Sequence, residues 1–529
     1  MKWAAILLAM TMPSAAASYD VTEKSIPQLQ VDLAAGRVTS EELVRAYLDR
    51  IAKIDRGGPA LHAVLALNPR ALDDARALDA ERRANGPRGP LHGIPILVKD
   101  NIETADPVAT TAGSLALVDN VTNRDAPVVA RLRAAGVIVL GKANLSEWAN
   151  IRSSHSISGW SAIGGLVKNP HVLDRSACGS SSGSGSAVAA SLSAAALGSE
   201  TDGSLVCPGS INGVVALKPT VGLLSRSHII PISHSQDTAG PMTRDVMDAA
   251  LLLTAMAGSD PADAATADAD AHKADYAAAL ASATLRGKRL GYIAPPPDAA
   301  PSDTDRVFLK ALDVLRAQGA EVIAIQDGPP PPSDIGDAEL TVLEFELKHD
   351  MNAYLASLLP GGKMKTLADL IAFNTATPRE LALFGQDLFE AAQVKGDLAD
   401  PAYLKAAKTL REFSRGRLDH LLGDNKLDAL IRATDDASFR IDIAKGDIDT
   451  GGSSSFLPAT AGYPHLTVPM GMVRGLPVGL SFMGPAWSEA SLLQLGYAYE
   501  QAAQARVAPA YLPSLESTSD AAAAFAPIR

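Results

Sequence analysis

Between residues 177 and 215 the chain reads ACGSSSGSGSAVAASLSAAALGSETDGSLVCPGSINGVV. Serine hydroxyls crowd two short loops in this stretch, Gly179-Ser180-Ser181-Ser182-Gly183 and Thr201-Asp202-Gly203-Ser204, separated by a run of very small side chains. A serine hydroxyl is a poor nucleophile at its ordinary pKa and needs an adjacent base. Lysine can be that base only when neutral, and full burial depresses its pKa by up to about 3–5 units because the charged form loses its solvation. Nucleophilic serine chemistry, given a neighbouring base, is what these residue types could perform.

Two plainer readings compete. A Gly/Ser stretch is often a flexible linker, but this one is flanked by an Ala/Val/Leu helix and by Val214-Val215-Ala216-Leu217, which embeds it in a core. A phosphate cradle would need the G-x-x-x-x-G-K-[ST] spacing or a G-x-G-x-x-G turn followed by an acid, and neither is present. His92 is a tempting base, yet a Ser-His-Asp arrangement lacks its G-x-S-x-G elbow here, and the residue reads as structural. His155, His171, His228 and His234 show no ligand spacing such as H-E-x-x-H, and Cys178 and Cys207 match no zinc pattern.

The elements that must position these loops alternate between helix and strand. Residues 20–90 read as helices, with starts at Ser25-Ile26-Pro27, at Thr39-Ser40-Glu41-Glu42 and at Asn68-Pro69. A short strand follows, ending at Lys99, then a helix over 127–135 and the apolar strand from Val137. Strands are expected in LRGKRLGYIA, AEVIAI, LDALIRAT, LTVPMG and LPVGLSFMG, with helices over Thr304–Gln318 and in SEASLLQLGYAYEQAA. Gly258–Lys273 is an Ala/Asp-rich connection or loose helix, and Pro329–Pro332 a rigid loop. Residues 339–424 are mainly helical and could form an insertion over the site. The alternation predicts an α/β fold with a mostly parallel or mixed sheet.

Bulk properties bound the rest. The 529 residues suit one large domain with insertions, and 5% aromatic content with abundant Ala and Gly suits helices packed closely on a sheet. A net charge of -12 without a basic stripe argues against nucleic acid as a partner. At the N-terminus, Lys2, the apolar run Trp3 to Met12 and Ala15-Ala16-Ala17 form a secretory signal peptide pattern, cleaved after about residue 17. A periplasmic or secreted protein without a membrane span is the expectation. Cys178 and Cys207 could pair in an oxidising compartment, but a chain with so large a core does not need the bridge, and an unbridged pair is favoured.

Several segments combine in a fixed order: Gly89-Pro90-Leu91-His92-Gly93-Ile94-Pro95-Ile96-Leu97-Val98-Lys99-Asp100, the Gly179–Gly183 block, Gly198-Ser199-Glu200-Thr201-Asp202-Gly203-Ser204, Gly213 through Thr220, and Gly475-Leu476-Pro477-Val478-Gly479-Leu480. This set resembles the amidase signature family and spans nearly the whole chain. The resemblance implies a single amidase signature domain over 20–512, its signature core at about 90–245. A mixed central sheet would be covered on both faces by helices, with the helical region at about 339–424 and a disordered tail at 513–529. It also implies a Ser–cis-Ser–Lys triad with Ser204 as nucleophile and Lys99 as base. Aligning Ala187-Val188-Ala189-Ala190 with the family's small-residue helix makes Ser180, 24 residues before Ser204, the relay serine; Ser181 is the alternative. Backbone N–H groups of Thr201, Asp202, Gly203 and Ser204 would form the oxyanion hole. No metal or organic cofactor is required.

Asp202 replaces the family's usual first Gly and Glu200 takes the place of its Asp; a turn cap is slightly favoured for Asp202 over tuning of the oxyanion loop. Ser146-Glu147-Trp148-Ala149-Asn150, Ser158-Gly159-Trp160-Ser161, CGSSSGSG and Lys348-His349-Asp350-Met351-Asn352-Ala353-Tyr354 resemble the peptide amidase branch, which removes the C-terminal amide of peptides and releases ammonia. A broad aryl or aliphatic amidase on the same core is the second expectation, and an inactive amide-binding scaffold the third. Export disfavours a cytoplasmic amidotransferase subunit.

Overall fold

The computed structural model describes residues 19–294, 300–358, 362–448, 452–517 and Ala524. The signal peptide expected at 1–17 lies outside them, as does most of the expected tail; Leu515–Ser517 is a short 3-10 turn. Among the described residues, no helix is long and apolar enough to cross a membrane.

Eleven strands form one mixed sheet in the order Val64–Leu67, Ile138–Ala143, Pro95–Lys99, Ala195–Glu200, Thr238–Thr243, Val215–Lys218, His465–Val473, Leu476–Met483, Ala429–Ala433, Arg289–Ile293 and Glu321–Ile325. Pro95–Lys99 runs parallel to both of its neighbours, so it is fully buried and reads as a continuous apolar run ending in lysine. Antiparallel pairs carry most of the remainder. Helices pack on this sheet, among them Val246–Met256 against Thr238–Thr243 and Glu489–Ala503 against His465–Val473. The result is a single α/β domain with a mixed central sheet and flanking helices, as the motif order implied.

Local starts follow the sequence signals. Ser25 and Thr39 each cap a helix with a full capping box, at Ile26–Ala34 and Ser40–Arg50. Residues 20–90 are not all helical, however. Val64–Leu67 pairs antiparallel with Ile138–Ala143 at the sheet edge, a strand too short and too weakly alternating to register as one. The following helix begins at Ala71 rather than at Pro69, because Asn68 turns the chain: its Oδ1 accepts from Arg70 N at 2.9 Å while Nδ2 donates to Val139 O at 2.8 Å.

The described residues of 335–424 form four helices, Ile335–Ser357, Leu367–Ala376, Asp387–Gln393 and Pro401–Asp424. Leu347, Met351, Leu355, Leu367, Leu370 and Phe389 build a hydrophobic cluster apart from the main core, together with Trp148, Ile230 and Ile232. The helical region therefore rests on loops at the end of the sheet that carries Lys99.

The small-residue helix Ser182–Ala189 is wholly buried. A Cβ on Gly183 would stand 2.3 Å from Asn144 O and 2.4 Å from Ala63 O, both backbone atoms that cannot swing aside. Gly183→Ala is expected to destabilise the fold by about 1–3 kcal/mol through overpacking, read as a lower denaturation midpoint; an unchanged midpoint would contradict this packing.

Candidate active site

Val98 lies opposite Leu197 in the parallel pair, so Lys99 and the Ser199-Glu200 end of the next strand emerge side by side. Carboxyl ends of adjacent strands are where an open α/β sheet forms its crevice. Lys99 has no exposed surface. Its Nζ lies 2.7 Å from Ser180 Oγ, 3.0 Å from Ser199 Oγ and 3.1 Å from Ser199 O. Asn101 Nδ2 donates to Ser199 Oγ at 2.9 Å and fixes that hydroxyl. No carboxylate among the described residues forms an ion pair with Nζ; Asp237 and Glu200 act on it only at longer range. Burial therefore outweighs their upward pull, and the lysine is lowered to about 7.

The three consecutive serines separate by what they touch. The Gly179–Ser180 peptide bond is cis, and Ser180 Oγ meets Lys99. Ser181 Oγ instead donates to Ser199 O at 3.0 Å and accepts from Ser199 N at 3.3 Å, which ties the two loops together. Ser182 Oγ donates to the carbonyl of Cys178. The contact with Lys99 thus falls to Ser180 rather than to the alternative, Ser181.

Ser204 approaches from the second loop. Its carbonyl accepts from Ser181 N at 3.1 Å, directly beside the Ser180 peptide. Its side chain makes no hydrogen bond to the described residues, and 8% of its surface stays exposed, where Lys99 and Ser180 have none. Glu200 holds the loop closed: Oε2 accepts from Leu205 N at 2.7 Å and Val206 N at 3.0 Å. The backbone N–H groups of Thr201, Asp202, Gly203 and Ser204 make no hydrogen bonds to other described residues, and Gly203 supplies the left-handed turn at φ +77°.

Asp202 caps no backbone N–H among the described residues: the helix Val206–Ile211 starts without a side-chain cap, and the buried Asp202 carboxyl, its Oδ1 unpartnered, faces the Ser455 hydroxyl and the Glu339 carboxyl on Ile335–Ser357. Burial and the facing acid push Glu339 up. Gln236 Nε2 bridges Glu339 Oε1 at 3.0 Å and Thr201 O at 3.4 Å. Glu339 lies in a region read as helical only, so nothing in the sequence linked it to this loop.

The cysteines correct an expectation: Cys178 and Cys207 are bridged, with their Cα atoms 6.1 Å apart. The fold brings together the residue preceding Gly179 and the third residue after Ser204. Proximity here depends on the packing of two loops, which spacing in the chain does not reveal.

Ser180, Ser199 and Thr201 reach a cavity of about 420 Å³ that Ile230, Ile232 and Tyr354 line on its apolar side. Ser204 lies three residues beyond Thr201 and is not among the lining residues. Asp237 also lines the cavity. Its Oδ1 accepts from Thr201 Oγ1 at 2.6 Å, and Oδ2 accepts from Ile232 N and Ser233 N, so one carboxylate shapes both the second loop and the cavity wall. Sequence reading overlooked Asn101, Ser199, Gln236 and Asp237; Ser199 lies within a quoted motif and Asn101 directly follows one, whereas Gln236 and Asp237 lie well outside them. His92 is structural as expected, its ring nitrogens facing Leu78 O and Arg88 N, and His171 is buried against Asn212 O.

The amidase family model matches residues 42–493. A protein named "Probable amidase" from Arabidopsis thaliana is 39% identical over 505 residues, covering 94% of this chain and 93% of its own. The peptide amidase of Stenotrophomonas maltophilia superposes with a TM-score of 0.86 at 49% identity, over 93% of this chain and 99% of that one. An amidase family protein from Bacillus anthracis gives 0.83 at 36% identity, over 92% of each chain.

Opening the disulfide, by reduction or by Cys207→Ser, is expected to cost roughly 3–4 kcal/mol of stability for a closed loop of this length, read from denaturation with and without reductant; equal midpoints would contradict it. Motif order, fold and likeness over most of the chain agree: this chain belongs to the amidase signature family and is an amide-hydrolysing enzyme.

Proposed function

We propose that the enzyme removes the C-terminal amide of peptides through an acyl-enzyme on Ser204, with Ser180 as relay and Lys99 as base. The observation that carries this reading is a fully buried lysine, held near pKa 7 by desolvation, in 2.7 Å contact with Ser180 Oγ. A base poised near neutral pH is suited to both halves of such a cycle.

In acylation, Ser204 Oγ attacks the amide carbon and its proton passes to Ser180, whose own proton passes to Lys99. The oxyanion is received by N–H groups of the 201–204 loop. As the C–N bond breaks, the proton returns from Lys99 through Ser180 to the departing nitrogen, and ammonia leaves. Water then repeats the steps on the ester and regenerates Ser204. Contacts of this kind are often long without substrate and tighten in the reacting complex, which accommodates a Ser204 hydroxyl with no partner among the described residues.

The peptide amide is favoured by likeness to a peptide amidase at 49% identity across nearly the full length of both chains. Ile230, Ile232 and Tyr354 supply an apolar wall for side chains next to the amide. Export is proposed on the N-terminal pattern, and a disulfide between the two loops accords with an oxidising compartment; N-terminal sequencing of the mature protein from the periplasm or medium checks it, and a start at residue 1 or 2 would contradict it.

Ammonia release from a C-terminally amidated dipeptide, run beside a simple anilide, tests the assignment. Ser204→Ala and Lys99→Ala are each expected to lower turnover by roughly 10³-fold or more with the fold retained. Ser180→Ala is expected to be far more damaging than Ser181→Ala. Anilide turnover alone would keep the triad and move the enzyme to a broader amidase class, and full activity in Ser204→Ala would remove the nucleophile. Since the base must be neutral, kcat/KM should rise with pH up to about 7 and drop by about tenfold per unit below it; a flat profile from pH 5 to 8 would contradict a lysine base.

A further inference from the structure

His234, His349 and Asp350 lie together at the rim of the cavity, outside the machinery described above. His349 and Asp350 are adjacent on the helix Ile335–Ser357, while His234 comes from the loop that Asp237 shapes. Asp350 Oδ2 lies 2.9 Å from His234 Nδ1, and Asp350 Oδ1 lies 2.8 Å from His349 Nδ1. One ligand atom from each of the three residues lies within 4.8 Å of the others. Adjacent ligand atoms around a tetrahedral zinc stand roughly 3.3 Å apart, given bonds of about 2.0–2.1 Å, so side-chain adjustments of an ångström or so would bring the three groups around one ion.

A second observation concerns the other ring nitrogen. His234 Nε2 lies 3.4 Å from Glu346 Oε1. That carboxylate is itself held, accepting from Tyr403 at 2.7 Å through Oε1 and from Ser235 through Oε2. A metal-ligating histidine characteristically donates its second N–H to a fixed carboxylate, which sets the tautomer and orients the ring. His234 Nε2 faces such a carboxylate at ion-pair distance, with Nδ1 toward Asp350.

We infer that His234, His349 and Asp350 form a binding site for a borderline-soft divalent cation of the zinc type, and that the bound ion slows entry to the cavity. Two imidazoles and one carboxylate suit Zn²⁺, Cu²⁺ or Ni²⁺ and do not suit Mg²⁺ or Ca²⁺, which take oxygen ligands. Three protein ligands leave a fourth position for water. With both cysteines bridged, no thiol competes for the ion. His234 and Asp350 both line the cavity, so the ion and its water would project at the entrance. The ion would take no part in catalysis; it would join the cover helix to the loop beneath it.

The test uses the untagged, chelator-treated protein, titrated calorimetrically with Zn²⁺ and with Mg²⁺, and amide turnover measured at the same concentrations. One Zn²⁺ per chain is expected and no Mg²⁺. His349→Ala, an exposed residue away from the cavity wall, is expected to weaken Zn²⁺ binding at least tenfold and to abolish zinc inhibition while basal turnover is kept. Asp350→Asn is expected to weaken binding likewise. Zn²⁺ binding that both variants leave unchanged, or no binding at all, would overturn the site, and zinc bound at the site without slowing turnover would overturn its effect on entry. Calorimetry reads binding without turnover, so a failure of the peptide-amide assignment leaves the metal result legible.

Discussion

A lysine ammonium without solvent is the constraint on which this structure depends. Pro95–Lys99 carries it to the end of a strand buried between two parallel neighbours, where its partners are hydroxyls and a carbonyl rather than a carboxylate. A direct ion pair would favour the ammonium and leave no neutral amine to accept a proton. Asp237 and Glu200 are close enough to be felt, yet each is committed to holding backbone: Asp237 under the loop at 232–233, Glu200 at the start of the helix after Ser204. The same acids that could have quenched the base instead shape the loops around it.

Close approach of two loops is the second requirement, and small side chains meet it. Gly183 and its neighbours let the Gly179–Gly183 loop and its helix press against Asn144 and Ala63. Ser181 crosslinks to Ser199, the Ser204 carbonyl accepts from Ser181 N, and the disulfide closes the arrangement. The helical region then packs on this assembly through a hydrophobic cluster of its own and through Glu339, Glu346 and Asp350. The cover is therefore tied by polar contacts to the loops that hold the reactive groups.

Much of this was legible in the sequence because it is local or motif-borne. The apolar run into Lys99, the capping boxes at Ser25 and Thr39, and the helices of 335–424 all follow from short-range pattern. What escaped was non-local. Val64–Leu67 is a strand only because Ile138–Ala143 needed an edge partner. The Cys178–Cys207 bridge and the turn of Asp202 toward Glu339 depend on segments that meet only in the folded chain. His234 and His349 are 115 residues apart in sequence, so ligand spacing could not join them.

The most direct test of the central claim is to label the native enzyme with a serine-directed phosphonate and to map the adduct by peptide mass spectrometry. The expected result is a single phosphonylated serine at Ser204, with labelling lost in Lys99→Ala because the hydroxyl is no longer deprotonated. An active enzyme labelled at another serine, or labelled at Ser204 equally well without Lys99, would contradict the account of a buried lysine activating that nucleophile.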